Sequence, residues 1–252
     1  MPVVFFGHGS PMNAIAPSRY ADSWRALGAS IPRPKAILCV SAHWYTHGTG
    51  VTAMAQPRTI HDFYGFPQAL FDVQYPAPGD PALARRVRDL VGPVEARLDD
   101  EWGLDHGTWS VLVHAFPRAD IPVVQLSIDG TQAPRFHYEL GRRLAPLRDE
   151  GVLVIGSGNV VHNLGVMRRG ADPQPYDWAV RFEDRVRMAL AARDHAPLID
   201  LEGEDARLSI PTPEHYLPLL YCIALQAEDE SAEIVVDGIE IGSISMLSVL
   251  VR

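Results

Sequence analysis

Five short apolar runs, at 3–6, 36–40, 51–55, 123–128 and 152–156, carry no charge and are bounded by turn residues. Such runs predict strands buried on both faces of a sheet. Between them lie stretches whose apolar positions recur at helical spacing: 18–29, 81–90, 109–116, 134–148, 176–193 and 213–225. The clearest is 177–192, where Val180, Phe182, Val186, Met188 and Leu190 are threaded between charges. The C-terminal stretch alternates instead, and 233–241 with 243–251 reads as a hairpin around Gly242. Strands separated by helices, with a hairpin at the end, predict an α/β fold. We expect a central mixed, mostly parallel β-sheet flanked by helices on both faces. No repeat, low-complexity tract or long linker interrupts the pattern, so residues 1–252 are read as a single domain.

Composition changes this picture little and narrows the function. The 252 residues are 47% hydrophobic and 21% charged, which is ordinary globular composition. A net charge of −9 without a basic block argues against nucleic acid and anionic membrane as partners. No apolar run approaches the ~20 residues of a membrane span. The start, MPVVFFGHGSPMNAI, lacks the basic region of a signal peptide. Cys39 and Cys222 both sit in apolar runs and read as buried thiols in a reducing, cytoplasmic compartment. With no CxxC pair, a cysteine-based zinc site is excluded.

The ten histidines carry the chemistry. His8 follows the first strand in Gly7-His8-Gly9-Ser10-Pro11, and His43 follows the second in Ser41-Ala42-His43-Trp44. His162 follows the 152–156 strand after Gly156-Ser157-Gly158-Asn159. Ligands of open α/β sheets gather beyond the carboxyl ends of the strands, where these three exits converge. His215 lies in Pro211-Thr212-Pro213-Glu214-His215, with Thr212 as expected N-cap, which places it in a first helical turn. Any one of them alone is more often just a polar surface residue; four at element ends point to a metal site for Zn²⁺ or Fe(II). His106, behind a capping Asp105, is either part of a capping turn or a substrate contact. His114, His137 and His195 sit in or beside amphipathic helices and are read as solvated or capping. The segment His61-Asp62-Phe63-Tyr64-Gly65-Phe66-Pro67 is aromatic and loop-like. It is either core packing or a wall that encloses a flat substrate through His61, Phe63, Tyr64 and Phe66.

These motifs, together with Asp105-His106-Gly107-Thr108-Trp109, Asn159-Val160-Val161-His162-Asn163 and Glu214-His215-Tyr216-Leu217-Pro218, resemble the class III extradiol ring-cleavage dioxygenases. The 4,5-DOPA dioxygenase branch is the nearest in pattern. The resemblance runs in order from residue 7 to about 220. It implies an α/β domain that opens a catechol ring beside its hydroxyls with O₂, acting on a DOPA-like or related phenolic acid. It further implies His8, His43 and His215 as metal ligands, with Fe(II) the expected cofactor. His162 would be the acid–base histidine, His106 a hydrogen-bonding partner of substrate or oxygen, and the 63–66 loop a barrier to water.

One departure stands out. Better-known members hold iron with two histidines and a carboxylate, whereas the third position here is His215. Neighbouring residues on a helical turn point about 100° apart, so Glu214 is not expected to take its place. Three histidines also suit catalytic zinc, and with His162 as a fourth ligand Zn(II) would close the site in purified protein. The competing function is therefore a zinc-dependent hydrolase on a related scaffold.

Overall fold

The apolar runs pair as strands of one eight-stranded sheet in a computed structural model that describes residues 1–170 and 173–252. In chain order, the sheet's strands are β1 (Val3–Gly7), β2 (Ala36–Thr46), β3 (Thr49–Thr52), β4 (Ala96–Asp99), β5 (Val123–Asp129), β6 (Val152–Gly158) and β7 (Ala232–Val236). A short pair, β8 (Ile239–Glu240) and β9 (Ile244–Ser245), precedes the last sheet strand, β10 (Ser248–Val251). The order across the sheet is β4-β3-β5-β2-β6-β1-β10-β7. Its centre, β5-β2-β6-β1, is parallel throughout, and β3 on β5, β10 on β1 and β7 on β10 are antiparallel. The expected mixed, mostly parallel α/β sheet is what forms.

Period-two alternation divides the core between the faces. Val4, Phe6, Ile37, Cys39, Leu153 and Ile155 face α1 (Arg19–Ser30), and Trp24 and Leu27 on that helix belong to the same cluster. Val3, Phe5, Leu38, Val40 and Val154 face the other way. The helices, numbered on, are α2 (Gln68–Phe71), α3 (Pro81–Val91), α4 (His106–Ala115), α5 (Pro134–Arg143), α6 (Pro146–Asp149), α7 (Asp177–Ala192), α8 (Ala196–Ile199), α9 (Glu204–Ser209) and α10 (Leu217–Ile223). The α4 side chains Trp109, Val111 and Leu112 join the α1 face, while α3, α5, α7 and α10 supply the opposite one.

Several expectations shift. The 134–148 helix breaks into α5 and α6, because Pro146 has no N–H to extend the ladder. β4, Ala-Arg-Leu-Asp, is a partly exposed edge strand without an apolar run to announce it. The C-terminal hairpin is two nested pairings. β8 and β9 close tightly around Ile241 and Gly242, both at positive φ, whereas the flanking β7 and β10 join the main sheet. His137 is not solvated: it is fully buried, its Nδ1 2.9 Å from the Tyr221 hydroxyl. His195 occupies the N-cap position of α8, and His114 bonds the Asn13 carbonyl at 2.8 Å.

Candidate metal centre and active site

β2, β6 and β1 lie side by side in the sheet, and each brings a histidine to one rim. His8 leaves β1 directly, its N–H bonded to the Gly158 carbonyl of β6 at 3.0 Å. His43 is reached differently from expectation, because β2 does not end at Val40 but runs on to Thr46. Its ladder with β5 loses register between Val40 and Tyr45, and its ladder with β6 stops at Ser41. An irregularity of this kind re-aims a side chain from within a strand. His215 also differs: α10 starts only at Leu217, and Thr212 does not cap it but donates to Glu214 Oε1 at 2.8 Å. His215 therefore sits in the turn before the helix, with its carbonyl bonded to the Asn159 N–H at 2.8 Å. A Cβ at Gly158 would stand 2.1 Å from that carbonyl, so only glycine lets this turn close on the strand.

These three histidines meet. His8 and His43 approach through their Nε2 atoms at 3.3 Å, and one nitrogen from each of His8, His43 and His215 lies within 4.8 Å of the others. Each has its Nδ1 occupied from behind. Ser157 Oγ donates its single proton to the Gly107 carbonyl at 2.5 Å, so at its 2.9 Å contact with His8 Nδ1 it must accept. Asp62 Oδ2 lies 3.2 Å from His43 Nδ1, and Glu214 Oε1 lies 3.1 Å from His215 Nδ1. These contacts place hydrogen on all three Nδ1 atoms, which turns the Nε2 side of each ring toward the cluster. Three imidazole nitrogens gathered at this range, each ring held from behind by a hydrogen-bonding partner, make a donor set that fits a divalent metal. Burial, then the neighbouring histidines, pushes His8 and His215 well below the usual histidine range, so both are neutral acceptors at pH 7.

His162 lies beside the triad. Its ring stacks flat on His215, centroids 3.5 Å apart and planes 7° from parallel. Burial lowers its pKa to about 4, with Glu214 opposing. His106 is the first residue of α4, whose N-cap Asp105 accepts from the Thr108 N–H at 3.1 Å. Its ring centroid is 3.8 Å from that of His43, and burial and then His43 lower its pKa against the pull of Asp62.

The aromatic segment is split by its surroundings. Phe63 packs edge-on to His106 at 5.4 Å between centroids, and Phe66 packs on Phe63 at the same spacing. His61 turns away, its Nε2 bonded to the Val73 carbonyl at 2.9 Å, and Tyr64 is 92% exposed. Sequence reasoning assigned no role to Asp62, which touches both His43 and His106. Burial would raise its pKa, but the two histidines outweigh that and hold it well below the usual carboxylate range. A carboxylate inside a histidine- and glycine-bearing aromatic loop was the available signal. None of Arg19, Arg58 and Arg168, the cations flanking these motifs, pairs with the cluster. Arg19 bonds the Asp237 carbonyl, Arg58 that of Trp102 and Arg168 that of Gln174.

Known proteins resemble this chain along nearly its whole length. Residues 10–251 match the family described as the catalytic LigB subunit of aromatic ring-opening dioxygenase. The chain is 54% identical to the 4,5-DOPA dioxygenase extradiol of Escherichia coli K12, over 99% of this chain and 94% of that protein. It is 39% identical to the enzyme of the same name from Beta vulgaris, over 92% and 89%. A crystal structure of an uncharacterized Escherichia coli K12 protein superposes with a TM-score of 0.88 at 49% identity, covering 99% of both chains. Among the described residues no helix is long and apolar enough to cross a membrane. The chain belongs to the LigB family of aromatic ring-opening dioxygenase subunits, and it is an oxidoreductase of the extradiol type.

Proposed function

We propose that this protein opens the ring of a catechol with O₂ at a metal held by His8, His43 and His215, with Fe(II) as the working ion. The observation that carries the reading is the convergence of nitrogens from His8, His43 and His215 on one point, with all three Nδ1 positions engaged from behind. His8, His43 and His215 would hold the Fe(II), which would supply Lewis-acid binding of the catechol and activation of O₂. Two histidines beside the triad then handle protons. Parallel rings 3.5 Å apart direct their in-plane lone pairs alongside each other rather than to one point, which supports His162 as an acid–base group instead of a fourth ligand. Neutral at working pH, it takes a phenolic proton and returns it as the ring opens. His106 hydrogen-bonds the substrate, and Phe63, backed by Phe66, excludes water from that side. In the net reaction one ring C–C bond next to the diol breaks and both oxygen atoms of O₂ enter the product.

A DOPA-like or phenolic-acid catechol is the substrate class offered. The test loads the protein with Fe(II) anaerobically and follows O₂ uptake and a yellow ring-opened product across a catechol panel. No uptake with any member sinks the reading. His43→Ala is expected to lose metal, whereas His162→Ala keeps metal and loses turnover. The same nitrogens suit Zn(II), so zinc in a purified sample does not identify the working ion. Ester or amide hydrolysis by zinc-loaded protein without O₂ would replace this proposal with a zinc-dependent hydrolase.

A further inference from the structure

Asp62 lies in the loop between β3 and α2 and touches three groups with two oxygens. Oδ2 is 3.2 Å from His43 Nδ1, while Oδ1 is 2.9 Å from His106 Nδ1 and accepts the His106 backbone N–H at 2.9 Å. The backbone bond ties the carboxylate to the first residue of α4, so it cannot swing clear of the rings. The contact to His106 Nδ1 is at ion-pair distance without the geometry of a hydrogen bond. That nitrogen is buried and has no other partner among the described residues. A carboxylate offers only lone pairs, and an unprotonated ring nitrogen at such a distance would be repelled; both Nδ1 atoms must therefore carry hydrogen.

We propose that Asp62 is a positioning residue that fixes the Nδ1–H tautomer of two histidines at once. It leaves the Nε2 lone pair of His43 free for the metal and makes His106 Nε2 a hydrogen-bond acceptor. The proposal rests on the reading of His43 as a ligand. It assigns the two imidazoles, 3.8 Å apart between centroids, to a single carboxylate fork, whereas His8 and His215 are oriented independently by Ser157 and Glu214. As an acceptor, His106 recognises a substrate hydroxyl that still holds its proton, not an ionised oxygen.

Asp62→Asn is the first test. Its amide oxygen can still accept the His106 N–H, which preserves the start of α4, but its NH₂ must then face a ring nitrogen and demands the opposite tautomer there. The expected result is a folded apoprotein whose Zn(II) and Co(II) affinities fall about 10- to 100-fold, the usual cost of losing such an outer partner. His106→Asn, which leaves the arm to His43 intact, should keep metal affinity within about threefold of wild type while kcat falls. ¹⁵N shifts of the imidazoles in wild-type protein read the tautomers directly and decide the matter if Asp62→Asn does not fold. Nε2–H signals from either ring in the metal-free protein overturn the proposal. So does wild-type metal affinity in Asp62→Asn while His43→Ala loses metal. If His43→Ala itself binds metal normally, the ligand assignment fails instead, and the two failures are distinguished.

Discussion

At Gly107 the site depends on a missing side chain. A Cβ there would stand 2.5 Å from Ser41 Oγ and 2.8 Å from His43 Cδ2. We expect Gly107→Ala to push His43 off its line to His8, with about tenfold weaker metal binding and a loss of about 1–3 kcal/mol of stability. Metal titration beside urea unfolding checks both, and unchanged affinity would show that His43 has room to give. The residue scale is also where sequence reading was most uneven. His8 and His162 were legible because apolar runs ending in glycine mark strand exits. The partners of Asp62 were not, because His43 lies 19 residues before it and His106 44 residues after it, joined only by the fold. His137 was misjudged for the same reason: the helix pattern makes it polar, while Tyr221, 84 residues on, makes it buried.

Among the elements, α4 is the one that the site leans on. Its cap, Asp105, is fully buried and accepts from Ser41 Oγ at 2.7 Å, Gln125 Nε2 at 2.7 Å and the Thr108 N–H, so it joins β2, β5 and the helix start. Asp105→Ala strands these donors without acceptors and should cost about 3 kcal/mol or more in urea unfolding. A loss below about 1 kcal/mol would mean that water replaces the carboxylate. The cap itself was readable from Asp105 ahead of His106, and the buried strands from their unbroken apolar runs. Element ends were not. The extension of β2 past Val40 is set by a register change against β5, and the late start of α10 by the turn that offers the His215 carbonyl to Asn159. Both are tertiary pairings that leave no local pattern.

For the whole molecule, buried histidines set the response to acid. Burial pushes His137 down to about 4 from the ordinary 6.5. The unfolded chain therefore takes up a proton near pH 6.5 that the native protein refuses until near pH 4. The contribution of this residue is complete above pH 6.5 and declines as pH falls towards 4, by at most about 3 kcal/mol. His8, His215 and His162 shift in the same direction, so the apoprotein should lose stability steeply across this window. Urea midpoints at pH 7 and pH 5 measure the slope, and His137→Gln should remove one share of it. An equal slope in the variant would mean that His137 does not titrate on unfolding.

β1, which carries His8, has β6 on one side and β10 on the other, and β10 is the strand nearest the C-terminus. Residue order along the chain thus becomes an order of events. During synthesis His8, the first of the proposed ligands, waits for more than 200 residues, until the strand that starts at Ser248 emerges, before β1 gains its second neighbour. An ion that binds only the finished sheet acts by mass action as a latch, adding about 2.7 kcal/mol at a hundredfold excess over its dissociation constant. A chain cut before Ser248 would retain every histidine of the site and still bind metal poorly. On the proposed ligand assignment, metal content is then a record of completed assembly, not of ligand inventory.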